Sequence, residues 1–370
     1  MAKTINILGV TGSIGQSTVD VVCSAPDAFD VNVICAHRDA AGLGVARERL
    51  GAAQAVLTQG GTDELLVALA APVDLTVAAI SGFAGLEPLL AAIPHSKAVA
   101  IANKEPLVAA GDLVLAECAK YGTKILPLDS EHNAIFQVFD EEQRSGIDRV
   151  ILSASGGPFR EWSLEDMRKA TPEQAIAHPN WSMGRKISVD SASMMNKALE
   201  IIEAHYLFNM PPERIDVIVH PQSVVHSFVE YADGSVLAQM GASDMRTPIA
   251  HCLAYPARME TPGARLDLKA MARLDFSSVD DARFPAIGLA YAALRGGQGA
   301  CIALNASNEV AVDAFLAGRI GFMQIVDCVR AALDANDKGD LRDLMAIIAY
   351  DRAVRDATDT YINGQIKKAV

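Results

Sequence analysis

The residues able to do chemistry gather in two stretches. "PLDSEHNAIFQ" carries Asp129 and Glu131 two apart at the end of a strand. Residues i and i+2 of an extended segment point to one side, so the two carboxylates converge. Like charges this close repel unless one is protonated or a cation lies between them. With no cysteine or paired histidine nearby, oxygen-only ligation suits a hard ion, magnesium or manganese. A solvated or helix-capping acid pair would use the same residues, and the spacing alone does not decide. Glu200 is the third acid. On a helix beginning near Ser191, the residues Asn196, Glu200 and Glu203 share one face, while Met195, Leu199, Ile202 and Tyr206 line another. Lys197 lies three residues from Glu200 and leans toward the same place. The alternative there is an exposed polar stripe with an intrahelical Lys–Glu pair.

Serines and glycines supply a second kind of chemistry. "SASGGPF" (Ser153 to Phe159) follows a strand and offers a hydroxyl and backbone donors at Ser155, Gly156 and Gly157. Ser191, Asn196 and Lys197, at the start of the helix that carries Glu200, complete an anion cradle. Small turns that bind nothing use the same residue types. Near the N-terminus "GVTGSIG" sets Gly9, Gly12 and Gly15 between the first strand and the first helix. Glycines there let the chain turn tightly and let backbone N–H groups approach a pyrophosphate. The spacing is G-x-x-G-x-x-G rather than the strict fingerprint; its setting, strand before and helix after, supplies the rest. A tight turn without ligand is the alternative. The second strand ends "AHRDA", where Arg38 suits the 2′-phosphate of NADP and Asp39 beside it suits the ribose hydroxyl of NAD. The balance of these favours NADP.

Such residues need elements to hold them. Over the first 130 residues "TINILGV", "DVNVICAH", "AQAVLT", "VDLTVAAI", "KAVAIAN" and "TKILPLD" read as strands with helical segments between them. Runs rich in Val, Ile and Ala separated by helices indicate a parallel sheet covered on both faces, a Rossmann-like doubly wound α/β domain over residues 1–130. Beyond it "RVILSAS" and "IDVIVHP" are strands, and "SVVHSFVEYADGSVLAQMG" alternates and turns at Asp233-Gly234. Residues 131–256 therefore read as an α+β catalytic domain with a mixed sheet. Residues 257–284, with Pro262 and Gly263, read as a linker, and 285–370 as a C-terminal helical bundle.

The 370 residues suffice for about two or three domains with cores of their own. Hydrophobic residues make up 51% and charged residues 21%, a globular composition. No apolar run approaches the ~20 residues of a membrane-spanning helix. "MAKTINILGV" enters a strand with no h-region or cleavage site, so a cytoplasmic location without a membrane partner is expected. The six cysteines lie far apart and form no C-x-x-C pair, against a disulfide framework or structural zinc. A net charge of −13 disfavours nucleic acid and leaves small anions to be held by local positive contacts.

Taken in order, "GVTGSIGQST", "ANKE" (Ala102 to Glu105), "LPLDSEHNAIFQ", "SASGGPF", "HPNWSMGRKISVDSASMMNKALEIIEA", "HPQSVVHSFVEYADGSVLAQMG" and "ALNASNEVAVDAFL" resemble the 1-deoxy-D-xylulose 5-phosphate reductoisomerases over nearly the whole chain. The resemblance implies a divalent cation (magnesium, manganese or cobalt) on Asp129, Glu131 and Glu200. It implies substrate contacts at Lys104, Ser130, Glu131, Ser155, His178, Ser191, Asn196, Lys197 and Glu200, several of them on the phosphate. NADPH contacts fall on Thr11, Gly12, Ser13, Ile14, Asn103, Glu105 and Gly184, with Arg38 in the family's basic position. A mobile flap falls on about residues 178–184, where Trp181 and Met183 cover the substrate. Catalytic roles fall to Lys104, Glu131 and His178, and a homodimer built through the middle domain is implied. The chain departs from the family's A-G-[KR]-N after the second strand, with His37 for glycine and Asp39 for asparagine.

The implied activity is an NADP-dependent oxidoreductase with coupled intramolecular isomerisation. It converts 1-deoxy-D-xylulose 5-phosphate to 2-C-methyl-D-erythritol 4-phosphate, a step of the non-mevalonate route to isoprenoid precursors. Rearranging the carbon skeleton develops enolate charge, which a Lewis-acidic cation stabilises. Binding energy from the remote phosphate closes the flap and orients the reacting carbons. A plain NADP-dependent dehydrogenase of a semialdehyde or hydroxy acid is the rival enzyme reading; it gives three converging carboxylates and a phosphate cradle no purpose. A non-catalytic NADP-binding sensor is the rival outside enzymes, and no member of the catalytic set is missing to suggest it.

Overall fold

Six short aliphatic runs lead the chain into parallel strands. These are β1 (Lys3–Leu8), β2 (Phe29–Ala36), β3 (Gln54–Leu57), β4 (Val73–Ala78), β5 (Ser96–Ile101) and β6 (Lys124–Pro127). Between and after them come α1 (Ser13–Cys23), α2 (Ala40–Leu50), α3 (Asp63–Ala68), α4 (Leu86–Ala92), α5 (Glu105–Tyr121) and α6 (Ser130–Val138). The computed structural model describes residues 2–181, 183–335, 341 and 343–369. The strand order is β3-β2-β1-β4-β5-β6, parallel throughout. Ile5, Ile7, Ile34, Val77, Val99 and Ile101 are fully buried, because the sheet is covered on both faces. The order reverses beside β1, and ligands of open α/β sheets bind outside the carboxyl ends of strands at such a reversal. The predicted doubly wound sheet is therefore present.

The second sheet begins with β7 (Ile147–Ala154). After it come α7 (Leu164–Arg168), α8 (Pro172–Ile176), α9 (Arg185–Ala192) and α10 (Met195–Phe208), then β8 (Ile215–Val219), β9 (Val225–Tyr231) and β10 (Val236–Met240). Its order is β10-β9-β7-β8, with β7 parallel to β8 and β9 antiparallel to both β7 and β10. The turn predicted at Asp233-Gly234 joins β9 to β10: Gly234 has φ +85°, and Ser235 N donates to Asp233 Oδ1 at 2.8 Å. At the outer edge, β10 leaves Val236 and Leu237 about half exposed.

The chain divides into two compact units, and the first is not continuous in sequence. It comprises Met1–Pro106, Val114–Gln137 and Gly241–Leu266; the second comprises Leu107–Leu113, Val138–Met240 and Asp267–Val370. The returning segment forms α11 (Arg246–Ala254), which packs against α1 and buries Ile249 and Leu253 in the core that holds Ile5, Val19 and Val22. Burying each such side chain contributes about 1.5–3 kcal/mol. Lys3 Nζ donates to the carbonyls of Leu253 and Tyr255 at 3.0 and 2.8 Å, closing the segment onto β1. No further helix or strand appears before α12 (Ala286–Gly296). Then α13 (Gln298–Leu316), α14 (Gln324–Asp334) and α15 (Leu344–Ala369) give the helical C-terminal region predicted, with α13 packed against the other three. All six cysteines are free thiols. Among the described residues, no helix is long and apolar enough to cross a membrane.

Two features of the first unit lead to measurable outcomes. A Cβ at Gly15 would lie 2.2 Å from the Gly9 carbonyl oxygen and 2.5 Å from the Val10 carbonyl carbon. Gly15→Ala is expected to cost about 1–3 kcal/mol, read as a lower urea midpoint at unchanged slope. The His251 ring lies 5.9 Å from that of Phe136 and 6.2 Å from that of Tyr255, and its Nδ1 accepts from Asn133 Nδ2 at 3.1 Å. Burial, with Arg258 nearby, pushes its imidazole from the ordinary 6.5 down to about 4. Between those values the unfolded chain takes up a proton that the folded chain does not, so stability falls as the pH drops through this window. Chemical denaturation at about pH 7 and about pH 4.5 should show a smaller loss for His251→Gln than for the wild type; equal losses would refute this account of His251.

Candidate active site

In the first unit the glycine turn lies at the carboxyl end of β1, where the strand order reverses. Gly9 has φ +81°, and a Cβ there would lie 2.5 Å from the Ala79 carbonyl oxygen just past β4, so only glycine permits this approach. Gly12 immediately precedes α1, with Ser13 and Ile14 opening the helix and Thr11 half-buried before it. The first turn of α1 has no acidic residue and no side-chain cap, which leaves its partial positive charge available to an anion. At the end of β2, Arg38 is exposed and His37 Nδ1 lies 3.3 Å from Thr58 Oγ1. Asp39 has local work: it caps α2, accepting from Gly42 N at 2.8 Å. Its carboxylate is thereby accounted for without a ribose.

The same unit buries a charged cluster between β5, β6 and the helices that follow them. Asn103, half-buried, donates from Nδ2 to the Gly82 carbonyl at 3.4 Å. Lys104 and Glu105 are buried at the head of α5. Lys104 Nζ lies 2.7 Å from Asp129 Oδ2, with the two side chains 5% and 11% exposed. Burial pushes the Asp129 carboxyl up, but Lys104 and His132 beside it outweigh that and hold it well below the usual carboxylate range. Ser130 N donates to Asp129 Oδ1 at 2.9 Å, and Ser130 Oγ donates to Glu131 Oε2.

The path of the chain here differs from the extended segment expected. The strand stops at Pro127 and α6 opens at Ser130, with Asn133 N donating to the Asp129 carbonyl at 2.8 Å. Asp129 precedes the helix and Glu131 sits in its first turn, so i, i+2 alternation does not relate them. Helical spacing instead brings His132, three residues from Asp129, to 3.4 Å from its carboxylate. His132 is not legible in the sequence, because the signal that reveals it is the start of α6.

In the second unit, the loop after β7 turns through Gly156 and Gly157 at φ +80° and +66°. Ser155 Oγ accepts from Gly157 N at 3.1 Å and lies 3.0 Å from His178 Nε2. His178 Nδ1 accepts from the backbone N–H groups of Asn180 and Trp181 at 3.1 and 3.0 Å. The neutral ring therefore carries its proton on Nε2 and donates it to Ser155 Oγ, which leaves the serine hydroxyl hydrogen to point elsewhere. Trp181 is half-buried with its ring 6.2 Å from that of His226, Met183 is half-buried, and Gly184 precedes α9. Ser182, within the segment read as a flap, lies outside the described residues.

Two helices occupy the stretch where one was expected to begin near Ser191. Ser191 lies in the last turn of α9, Met194 takes a left-handed φ of +62°, and α10 starts at Met195. The break arises where Ser193 Oγ bonds back to the Val189 and Asp190 carbonyls. On α10, Asn196 Nδ2 donates to Glu200 Oε1 and Lys197 Nζ pairs with Glu200 Oε2. Lys197 is 3% exposed, and Glu200 and Glu203 are fully buried, so the solvated polar stripe is excluded. A Cβ at Gly157 would lie 2.6 Å from the Ser191 carbonyl oxygen, so the Ser155–Gly157 loop rests on the end of α9. The second unit thus brings together Ser155 with His178 and Asn196 with Lys197 and Glu200; the first brings together Lys104, Asp129, Ser130 and Glu131.

Comparison with known proteins gives matches along most of the chain. The family model for 1-deoxy-D-xylulose 5-phosphate reductoisomerase matches residues 5–60 and 46–111, the model of its C-terminal domain matches 125–208, and that of the DXP reductoisomerase C-terminal domain matches 240–357. A 1-deoxy-D-xylulose 5-phosphate reductoisomerase of Rhodospirillum centenum is 50% identical, covering 95% of this chain and 92% of its own. The Zymomonas mobilis enzyme, solved in complex with NADPH, is 44% identical with a TM-score of 0.91 over 98% of this chain and 99% of its own. A DOX-P reductoisomerase in complex with NADPH, fosmidomycin and magnesium is 42% identical with a TM-score of 0.89, covering 98% of each chain. The chain belongs to the 1-deoxy-D-xylulose 5-phosphate reductoisomerase family.

Proposed function

We propose that the chain rearranges 1-deoxy-D-xylulose 5-phosphate and reduces the product to 2-C-methyl-D-erythritol 4-phosphate, using NADPH and a divalent cation. The observation that carries this reading is a pair of buried carboxylate–lysine contacts, Asp129 with Lys104 and Glu200 with Lys197. Carboxylate oxygens, buried at Asp129 and Glu200 and half-buried at Glu131, with no thiolate or imidazole among the chosen ligands, fit a hard cation, and these three residues would hold it. The open first turn of α1 fits a pyrophosphate. Thr11, Gly12, Ser13, Ile14, Asn103, Glu105 and Gly184 would hold NADPH, with Arg38 at its 2′-phosphate. When bound, the cation supplies Lewis acidity to neighbouring substrate oxygens and NADPH supplies a hydride.

The chain's own residues do the remaining work. Ser155 presents its hydroxyl hydrogen to the substrate phosphate because His178 and Gly157 N already donate to its oxygen. Ser191, Asn196 and Lys197 grip the same phosphate, and Ser130 contacts the sugar. Lys104 brings positive charge to the reacting oxygens, and Glu131 shares that end of the site. His178 orients the substrate; with Nδ1 occupied by two backbone donors, it is not the proton carrier in this conformation. Trp181 and Met183 cover the bound sugar and exclude water from the aldehyde intermediate. A dehydrogenase acting by hydride transfer alone would have no use for the buried acids. A cytoplasmic location goes with this reading, as does a homodimer. The half-exposed Val236 and Leu237 on the outer strand β10 offer an apolar edge for a second copy.

NADPH absorbance should fall only when 1-deoxy-D-xylulose 5-phosphate and magnesium or manganese are both supplied. A chelator should stop the reaction, and Glu200→Gln should lower turnover at least about a hundredfold. Equal turnover with and without added divalent ion would sink the three-carboxylate assignment. Leu237→Lys should shift the sedimenting species from dimer toward monomer; an unchanged dimer would remove β10 from the interface.

A further inference from the structure

Asp190 and Asn308 form a buried pair to which neither the metal, the phosphate nor the cofactor gives a role. Their side chains are 1% and 0% exposed, and Asn308 Nδ2 donates to Asp190 Oδ1 at 2.8 Å. Lys186 Nζ, one turn earlier on α9, lies 2.8 Å from the other oxygen, Asp190 Oδ2. Asn305, Asn308 and Glu309 share one face of α13, spaced i, i+3 and i+4. Along that face Asn305 Nδ2 donates to Glu309 Oε1 at 3.2 Å, and Arg355 of α15 reaches Glu309 Oε2 at 2.7 Å and Asp351 Oδ2 at 2.6 Å. One polar row on α13 therefore ties α15 on one side and α9 on the other.

We propose that Asp190 and Asn308 are positioning residues for the phosphate cradle, fixing the rotation of α9 so that Ser191 meets the Ser155–Gly157 loop. This rests on the phosphate-binding role given above to Ser155 and Ser191. Helix α9 has eight residues, and the Ser191 carbonyl is already so close to Gly157 that a Cβ could not fit between them. Neighbouring residues on a helix point about 100° apart, so locking Asp190 also sets where Ser191 faces. An apolar pair would fill the same space but leave a short helix free to roll, because hydrophobic contact is non-directional. A charge-assisted hydrogen bond has a required direction and resists that roll. The bond thus carries the position of α13 to the serine that holds the phosphate.

The test uses the full chain, with inorganic phosphate as calorimetric probe and two substrates, 1-deoxy-D-xylulose 5-phosphate and its phosphate-free sugar. Asn308→Ala should weaken phosphate binding about tenfold and lower kcat/KM for the phosphorylated ketose about as much, while kcat/KM for the phosphate-free sugar stays unchanged. The exchanged pair Asp190→Asn with Asn308→Asp recreates the hydrogen bond with donor and acceptor reversed, and should recover phosphate affinity to within about threefold of wild type. The exchange also serves if Asn308→Ala fails to fold. Wild-type phosphate affinity in a folded Asn308→Ala chain would overturn the proposal. So would an exchanged pair that regains the wild-type melting temperature but not the affinity. A wild-type chain that turns over the phosphorylated ketose no faster than the free sugar would instead overturn the cradle itself, and this inference with it.

Discussion

A carboxylate taken out of water must be compensated where it stands, and much else in this protein follows from that demand. The first unit meets it with Lys104 against Asp129, the second with Lys197 against Glu200. Removing one partner of such a pair costs roughly 3–5 kcal/mol, yet replacing both with well-packed apolar groups is often neutral or stabilising. Stability alone therefore gives a poor reason to keep two of these pairs in a chain that is half hydrophobic. Chemistry gives a better one. A low-dielectric setting strengthens every charge interaction within it, and an ionised acid already held by a lysine needs little reorganisation when charge develops nearby.

Compensation of this kind sets the surrounding structure. The acids need rigid supports, and each lies at or near a helix start: Asp129 before α6, Glu200 on α10 just past the break at Met194. Of the serines that suit a phosphate, Ser155 follows β7 in a turn through Gly156 and Gly157, and Ser191 lies in the last turn of α9, with its carbonyl resting against the Gly157 turn. His178 joins the two kinds of chemistry. One ring nitrogen holds the turn that carries Trp181 while the other holds Ser155, so that turn and the loop after β7 share a single imidazole.

The sheets were legible because burial writes itself plainly into sequence. Val, Ile and Ala runs such as "INIL" and "AVAI" survive only where both faces of a sheet are covered, and Asp233-Gly234 marks a tight reversal by its backbone alone. Local boundaries were harder. Asp129 and Glu131 look like neighbours on a strand until the Asn133 N–H finds the Asp129 carbonyl and starts a helix, and His132 becomes visible only then. The split of α9 from α10 depends on Ser193 bonding back to its own helix, a choice that apolar periodicity does not record. The buried state of Glu200 and Glu203 is a tertiary outcome: their spacing on α10 is the same for a solvated stripe as for a site.

The return of residues 241–266 to the first unit has a consequence for how the protein is made. Strands β1 to β6 leave the ribosome early, but Ile249 and Leu253 must arrive before the face against α1 is sealed. That point comes after residue 253 of 370 has been synthesised. Until then the nascent first unit carries an unsealed greasy surface, of the kind that chaperones recognise and that favours misassembly during translation. The segment that closes it is encoded only after the mixed sheet, so the earlier half is finished by a piece of chain born later.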